Sequence, residues 1–168
     1  MAISIKTTEE INSMRVGGKI LAEVLEEICK RALPGVSTRE LDEFAENYIL
    51  TKGGKPAFKG YHGFPASLCT AINEVIVHGI PRKDEFLKEG DLFTADCGVI
   101  YNGLYTDAAR SIGIGKISSE KRRLLGTAEK ALSEAVDLIK PGIHVGEISR
   151  TIEKIIRAAG FHVIHDLT

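Results

Sequence analysis

Apolar positions recur along the 168-residue chain with two different periods. From residue 7 onward they fall three or four apart. Met14, Leu21, Val24, Leu25, Ile28 and Ala32 make one stripe, which predicts a helix with a single buried face. Thr7 and Glu10 stand where a capping box would open that helix, each side chain taking up the other's backbone N–H. Pro34-Gly35 ends it. Ser37 and Glu40 repeat the opening signal, and Leu41, Phe44, Ala45, Tyr48 and Ile49 follow on one face until Gly53-Gly54. The period then drops toward two. Strand-like runs are expected at roughly 67–77 and 91–112, separated by turns rich in Gly, Pro and Asp. Helical spacing returns over 118–139 and again over about 145–159.

The two helical pairs look alike. One turns at Pro34-Gly35-Val36 and the other at Pro141-Gly142-Ile143, an offset of 107 residues. The same offset carries Leu41 onto Ile148, Ile49 onto Ile156 and Gly53 onto Gly160. Helix–turn–helix pairs can match by chance, but this register predicts an internal duplication and a pseudo-symmetric domain. The first unit runs on past Gly54 into some 60 residues of strand-like sequence, the second past Gly160 for only eight, Phe161 to Thr168. The second half is therefore expected to be incomplete within these residues. A strand edge and apolar surface would be left uncovered, and self-association or poor solubility would follow.

Composition adds little to this picture and excludes some classes. Hydrophobic residues make up 43% and charged residues 27%, as in an ordinary folded domain. The net charge of −1 gives no electrostatic argument for DNA or a membrane surface as partner. Lys116, Lys121, Arg122 and Arg123 cluster, and read as a solvated helix start. The cysteines, Cys29, Cys69 and Cys97, include no pair at metal or redox spacing, so reduced thiols are expected. No basic segment followed by an apolar stretch opens the chain, and no apolar run nears the roughly 20 residues of a membrane span. The expected location is cytoplasmic.

The candidate chemistry sits in a hairpin. Asn102-Gly103 between two alternating runs is a type I′ turn signal, since both central positions need positive φ. That turn makes Tyr101 face Leu104, Asp96 face Ala109 and Gly98 face Asp107. Asp96 and Asp107 then share a sheet face as diagonal neighbours, with Cα atoms about 7–8 Å apart. Two carboxylates so close repel, and burial makes the repulsion worse. Protonation, a basic partner or a bound cation would relieve it, and an exposed edge hairpin would avoid it. A hard or borderline cation suits carboxylate oxygens, although two carboxylates alone are too few for a complete site.

Other candidates flank the hairpin. His78 stands between an apolar run and the Gly79-Ile80-Pro81 turn, where a side chain can face a ligand. The loop Tyr61-His62-Gly63-Phe64-Pro65 could line an apolar pocket or simply pack. His144 reads as a solvent-facing or helix-entry residue, and His162 and His165 have no assigned role.

Taken together, YHGFPASLCTAINEVIVHGIP at 61–81 and GDLFTADCGVIYNGLYTDAARS at 90–111 closely resemble bacterial-type (type I) methionine aminopeptidases. The resemblance runs from the first helix to Thr168. It implies an α/β (α+β) fold of the pita-bread, creatinase/aminopeptidase kind, pseudo-two-fold, with the second half incomplete here. It implies one M24-type catalytic domain over residues 1–168. The implied activity is metal-dependent removal of N-terminal methionine from nascent polypeptides, with two divalent cations per complete site, whether Co, Mn, Fe or Zn. Implied partners are N-terminal Met-peptides, nascent chains and the ribosome. By residue, Asp96 and Asp107 match metal-binding carboxylates, Asp107 one that contacts both metals. His78 matches the histidine that contacts substrate and stabilises the reaction intermediate. Phe58, Tyr61, Phe64 and Cys69 match positions around the methionine side-chain pocket; Phe58 and Phe64 differ from residues often found there but keep its apolar character. The family's Gly-His-Gly histidine, its second substrate-contacting histidine and two glutamates, one the expected general base, would all lie beyond Thr168. The chain is thus expected to be incomplete and inactive by itself. A non-catalytic peptide- or protein-binding module on the same fold is the alternative, which the retained aspartates and His78 disfavour. Prolidase-like activity is the third reading, disfavoured by the string NEVIVHGIP.

Overall fold

The structure, a computed structural model, describes residues 4–164. The helical period produces α1, Thr8–Arg31, and α2, Thr38–Thr51. Both capping boxes form. Glu10 N donates to Thr7 Oγ1 at 3.2 Å while Thr7 N donates to Glu10 Oε2 at 2.7 Å. Glu40 N donates to Ser37 Oγ at 3.2 Å while Ser37 N donates to Glu40 Oε2 at 2.8 Å. These bonds to Ser37 hold the Glu40 carboxyl below its usual range.

Four strands follow: β1, Lys55–Pro56; β2, Leu68–Ile72; β3, Leu92–Tyr101; and β4, Leu104–Gly113. All pair antiparallel, with β3 at the centre, β4 along one side and β1 and β2 along the other. Alternate residues of β3, Phe93, Ala95, Cys97 and Val99, are buried in one core with Ile20, Leu21, Val24 and Ile28 of α1 and Leu41, Ala45 and Ile49 of α2. The intervening residues Thr94, Asp96 and Gly98 therefore lie on the opposite face, which α1 and α2 leave free. Hydrophobic alternation thus sets which face turns to the core and which face carries Asp96.

The hairpin register is the one its turn predicts. Asn102 has φ 49° and Gly103 φ 78°, and the pairing runs Tyr101–Leu104, Gly98–Asp107 and Asp96–Ala109. The strand expected over 67–77 is shorter. β2 stops at Ile72 because Asn73 takes φ 52° and Val75 N turns back to donate to Ile72 O at 3.1 Å. The apolar run that suggested a longer strand finds no ladder partner. Val75, Ile76 and Val77 stand 41%, 57% and 44% exposed in a loop.

The chain divides into two compact units, the second beginning at Ser118. That unit holds α3, Ser119–Asp137, and α4, Val145–Ala158. Ser118 caps α3 by accepting from Lys121 N at 3.2 Å. His144 is the helix-entry residue of α4, with its N–H on Glu147 Oε1 at 3.2 Å. The repeat is visible in the backbone. At the offset that takes Pro34 onto Pro141, the bounds of α2 fall on those of α4. Gly35 and Gly142 have φ 89° and 88°, and Gly53 and Gly160 both have φ 79°. Unlike α2, α4 buries none of its residues. His162 is exposed, and His165 lies outside the described residues.

Candidate active site

The face of the sheet turned away from α1 and α2 carries the site. Cys69 of β2 pairs directly with Asp96 of β3, so their side chains emerge on the same side. Asp107 of β4 sits diagonally across from Asp96, opposite Gly98. Gly98 matters here because it has no side chain. A Cβ at that position would lie 2.8 Å from both Ala57 Cβ and Phe58 Cε1, so only glycine lets the Phe58 ring settle against the strand beside Asp107. Tyr61–Gly63 form a single 3₁₀ turn, and the chain runs on through Phe64 and Pro65 into β2.

These residues enclose a cleft of about 540 Å³ lined by Phe58, Tyr61, Phe64, Cys69, His78, Asp96 and Asp107. All seven residues nominated from the sequence therefore meet in one place. His62, within the loop read as able to line a pocket, also lines the cleft, as does Ile80, which the sequence reading did not single out. His62 stacks edge-on against Tyr61, ring centroids 4.3 Å apart, and has φ 46°. His78 is likewise in the left-handed region, with φ 57°. Such backbone is uncommon for residues other than glycine and often marks a position where a side chain is aimed for a purpose. The neighbouring Gly79 was the available signal for Ile80.

The electrostatics are those of an unrelieved acidic pair. Burial, then the nearby charge of Asp107, pushes the Asp96 carboxyl up to about 6, although His78 and the Cys97 N–H pull the other way. Burial also raises the Asp107 carboxyl. No lysine or arginine answers this charge within the cleft lining. Asp96 Oδ1 is buried and has no hydrogen-bond partner. A carboxylate oxygen removed from water and left unbonded is costly, and a cation placed on it would remove the cost. Burial and the two aspartates push the Cys69 thiol up to about 11, so at neutral pH it is an uncharged wall of the cleft. Among the described residues, no group of three or more His, Cys, Asp and Glu is arranged to hold an ion.

Comparison with known proteins identifies the family. The family model for metallopeptidase family M24 matches residues 12–168. The chain is 43% identical to the methionine aminopeptidase of Clostridium acetobutylicum over 98% of its own length and 66% of that protein's. It is 43% identical to the methionine aminopeptidase of Escherichia coli K12, covering 99% of this chain and 63% of that one. The crystal structure of methionine aminopeptidase from Thermotoga maritima superposes with a TM-score of 0.96 at 37% identity, over 98% of this chain and 66% of that one. The prolidase of Pyrococcus furiosus gives 0.83 at 26% identity, over 93% and 44%. The chain thus spans just under two thirds of the length of the curated relatives it matches, and its fold is that of the pita-bread peptidases. With the acidic face, the cleft and these likenesses in agreement, the chain belongs to metallopeptidase family M24.

Proposed function

We propose that these residues supply the methionine pocket and the first metal-binding carboxylates of an aminopeptidase that removes N-terminal methionine from new polypeptides. The observation that carries this reading is convergence. Residues scattered between Phe58 and Asp107 line one cleft that combines aromatic side chains with two carboxylates. The relatives named methionine aminopeptidase support it.

Asp96 and Asp107 fit a divalent cation. They are hard oxygen donors on one sheet face, one oxygen has no partner, and no basic side chain in the cleft lining neutralises them. When bound, Co²⁺, Mn²⁺, Fe²⁺ or Zn²⁺ at such carboxylates lowers the pKa of water and polarises a carbonyl. The remaining work falls to the chain. Asp96 and Asp107 would hold the divalent cations, and Asp107 would serve both where two are bound. Phe58, Tyr61 and Phe64 with the neutral Cys69 thiol give a flexible thioether side chain an apolar slot. A ring N–H of His78 donates to the carbonyl oxygen of the bond being cut and stabilises the negative charge that grows there. Substrates of this kind are peptides and nascent chains with a free N-terminal methionine, presented in the cytoplasm near the ribosome. The 168 residues form one catalytic domain in this reading. With no group of three ligands among the described residues, the chain alone holds metal weakly and shows little or no turnover.

The test is release of methionine from Met-Ala-Ser with Mn²⁺ or Co²⁺, beside calorimetric titration of the same cations. Any release or cation binding by this chain should disappear in Asp107→Ala. Release that survives the substitution would remove the carboxylate pair from the reaction. Saturable peptide binding that ignores both cation and substitution would instead favour a binding module.

A further inference from the structure

The free edge of β2 shows what holds the cleft in shape. β2 pairs with β3 on one side only. On the other side its outward amides, Leu68 N and Thr70 N, need acceptors that no strand supplies. Thr70 N donates to Gly79 O at 2.9 Å, next to His78. Leu68 N donates to Oδ1 of Asp42, a carboxylate on α2, at 2.9 Å, and Ser67 N reaches the same oxygen at 2.7 Å. Asp42 is 1% exposed, and its Oδ2 lies 3.3 Å from Arg39 Nη1. One helical turn earlier, Thr38 is fully buried and binds the far end of the same segment. Its Oγ1 accepts from Arg82 N at 2.8 Å and its N–H donates to Glu85 O at 2.9 Å.

We infer that Asp42 is a positioning residue for the cleft, acting with Thr38 as the two jaws of one clamp on α2. The segment between the jaws, residues 68–81, carries Cys69, His78 and Ile80, three of the cleft's walls. β2 itself is buried and laddered to β3, but the loop after it is exposed from Asn73 to His78 and has little packing of its own to fix where His78 points. A carboxylate suits the task because a single oxygen takes two amides while the charge shortens and strengthens both bonds. The close approach of Gly79 to Thr70 O leaves no space for a side chain there, so loop and strand move as one body. Fixing the start of β2 therefore fixes His78 as well. The inference rests on reading this cleft as the functional site, but its test requires no turnover, so loss of activity and loss of positioning are separate results.

The test compares Asp42→Ala, Asp42→Asn, Thr38→Val and Ile49→Ala in the 168-residue chain by NMR and amide hydrogen exchange. Ile49 is a buried α2 residue away from the clamp and reports plain destabilisation. In Asp42→Ala the Ser67 and Leu68 amides should exchange about tenfold faster or more, since a buried charge-assisted bond to each is gone. The Cys69 amide and His78 ring signals should shift with them. Asp42→Asn, which keeps one carbonyl oxygen, should return both toward wild type, and Thr38→Val should shift His78 from the other end. Ile49→Ala should lower the melting point while leaving the Cys69 and His78 signals in place. Faster Leu68 exchange with those signals unmoved would overturn the proposal, as would equal shifts in Ile49→Ala. If Asp42→Ala does not fold, unmoved His78 signals in both Asp42→Asn and Thr38→Val would overturn it equally.

Discussion

Replacing Asp96 by asparagine should make the metal-free protein more stable, at the expense of metal binding. The carboxyl sits at about 6 in the fold against 3.8 for an unperturbed aspartate, through burial first and Asp107 second. The sign follows from proton linkage. The native state binds the Asp96 proton more tightly than the unfolded chain, so this group's contribution to stability is most favourable below pH 4, falls as pH rises from 4 toward 6, and stays reduced above. A shift of about two units corresponds to roughly 3 kcal/mol at most, and partial exposure of the site reduces this to about 1–2 kcal/mol. Asparagine has the same shape and no charge, so it escapes that loss. For a chain of this size each kcal/mol moves the melting point by about 2–4 °C, which gives a gain of roughly 2–8 °C. Thermal melts of wild type and Asp96→Asn in EDTA, at pH 7.5 and pH 4, measure it directly. The gap should be open at pH 7.5 and nearly closed at pH 4. Adding Mn²⁺ at pH 7.5 should raise the wild type more than the variant, because only a ligand bound to the native state stabilises it. A gap of equal size at both pH values would mean that asparagine improves packing, and the electrostatic reasoning would fail. No gap at pH 7.5 would refute it outright.

Two further outcomes follow from the same face of the sheet. Gly98→Ala should push Phe58 out of its place against β3 and cost about 1–3 kcal/mol by overpacking; unchanged melting and unchanged Phe58 ring shifts in the variant would show the contact to be unimportant. The isolated chain should self-associate through β4, which pairs only with β3 among the described residues and carries Tyr105 63% exposed. Tyr105→Lys should weaken that association in sedimentation velocity, and a wild type that stays monomeric at every concentration would contradict the expectation.

Local rules carried the sequence reading far in this molecule, and their limit is physical. The hairpin was legible because an Asn-Gly turn and a period of two determine register without help from the rest of the chain. From that register alone, Asp96 and Asp107 had to share a face. The capping boxes were legible for the same reason, since each is closed within four residues. The end of β2 was not. Glu74-Val75-Ile76-Val77 has strand character, but a strand needs a ladder, and the partner for β2's outer edge is a helix carboxylate 26 residues upstream and a loop carbonyl downstream. Asp42 itself went unnoticed because an aspartate beside Arg39 and Glu43 on an amphipathic helix reads as solvated surface. The residues proposed for the chemistry were therefore readable from their own neighbourhood, whereas Asp42 was not, because its partners are backbone amides that carry no side-chain signature. A substitution survey of this site guided by sequence motifs alone would sample Asp96, Asp107 and His78 and pass over Asp42 and Thr38, the residues inferred to place His78 beside the hairpin pair.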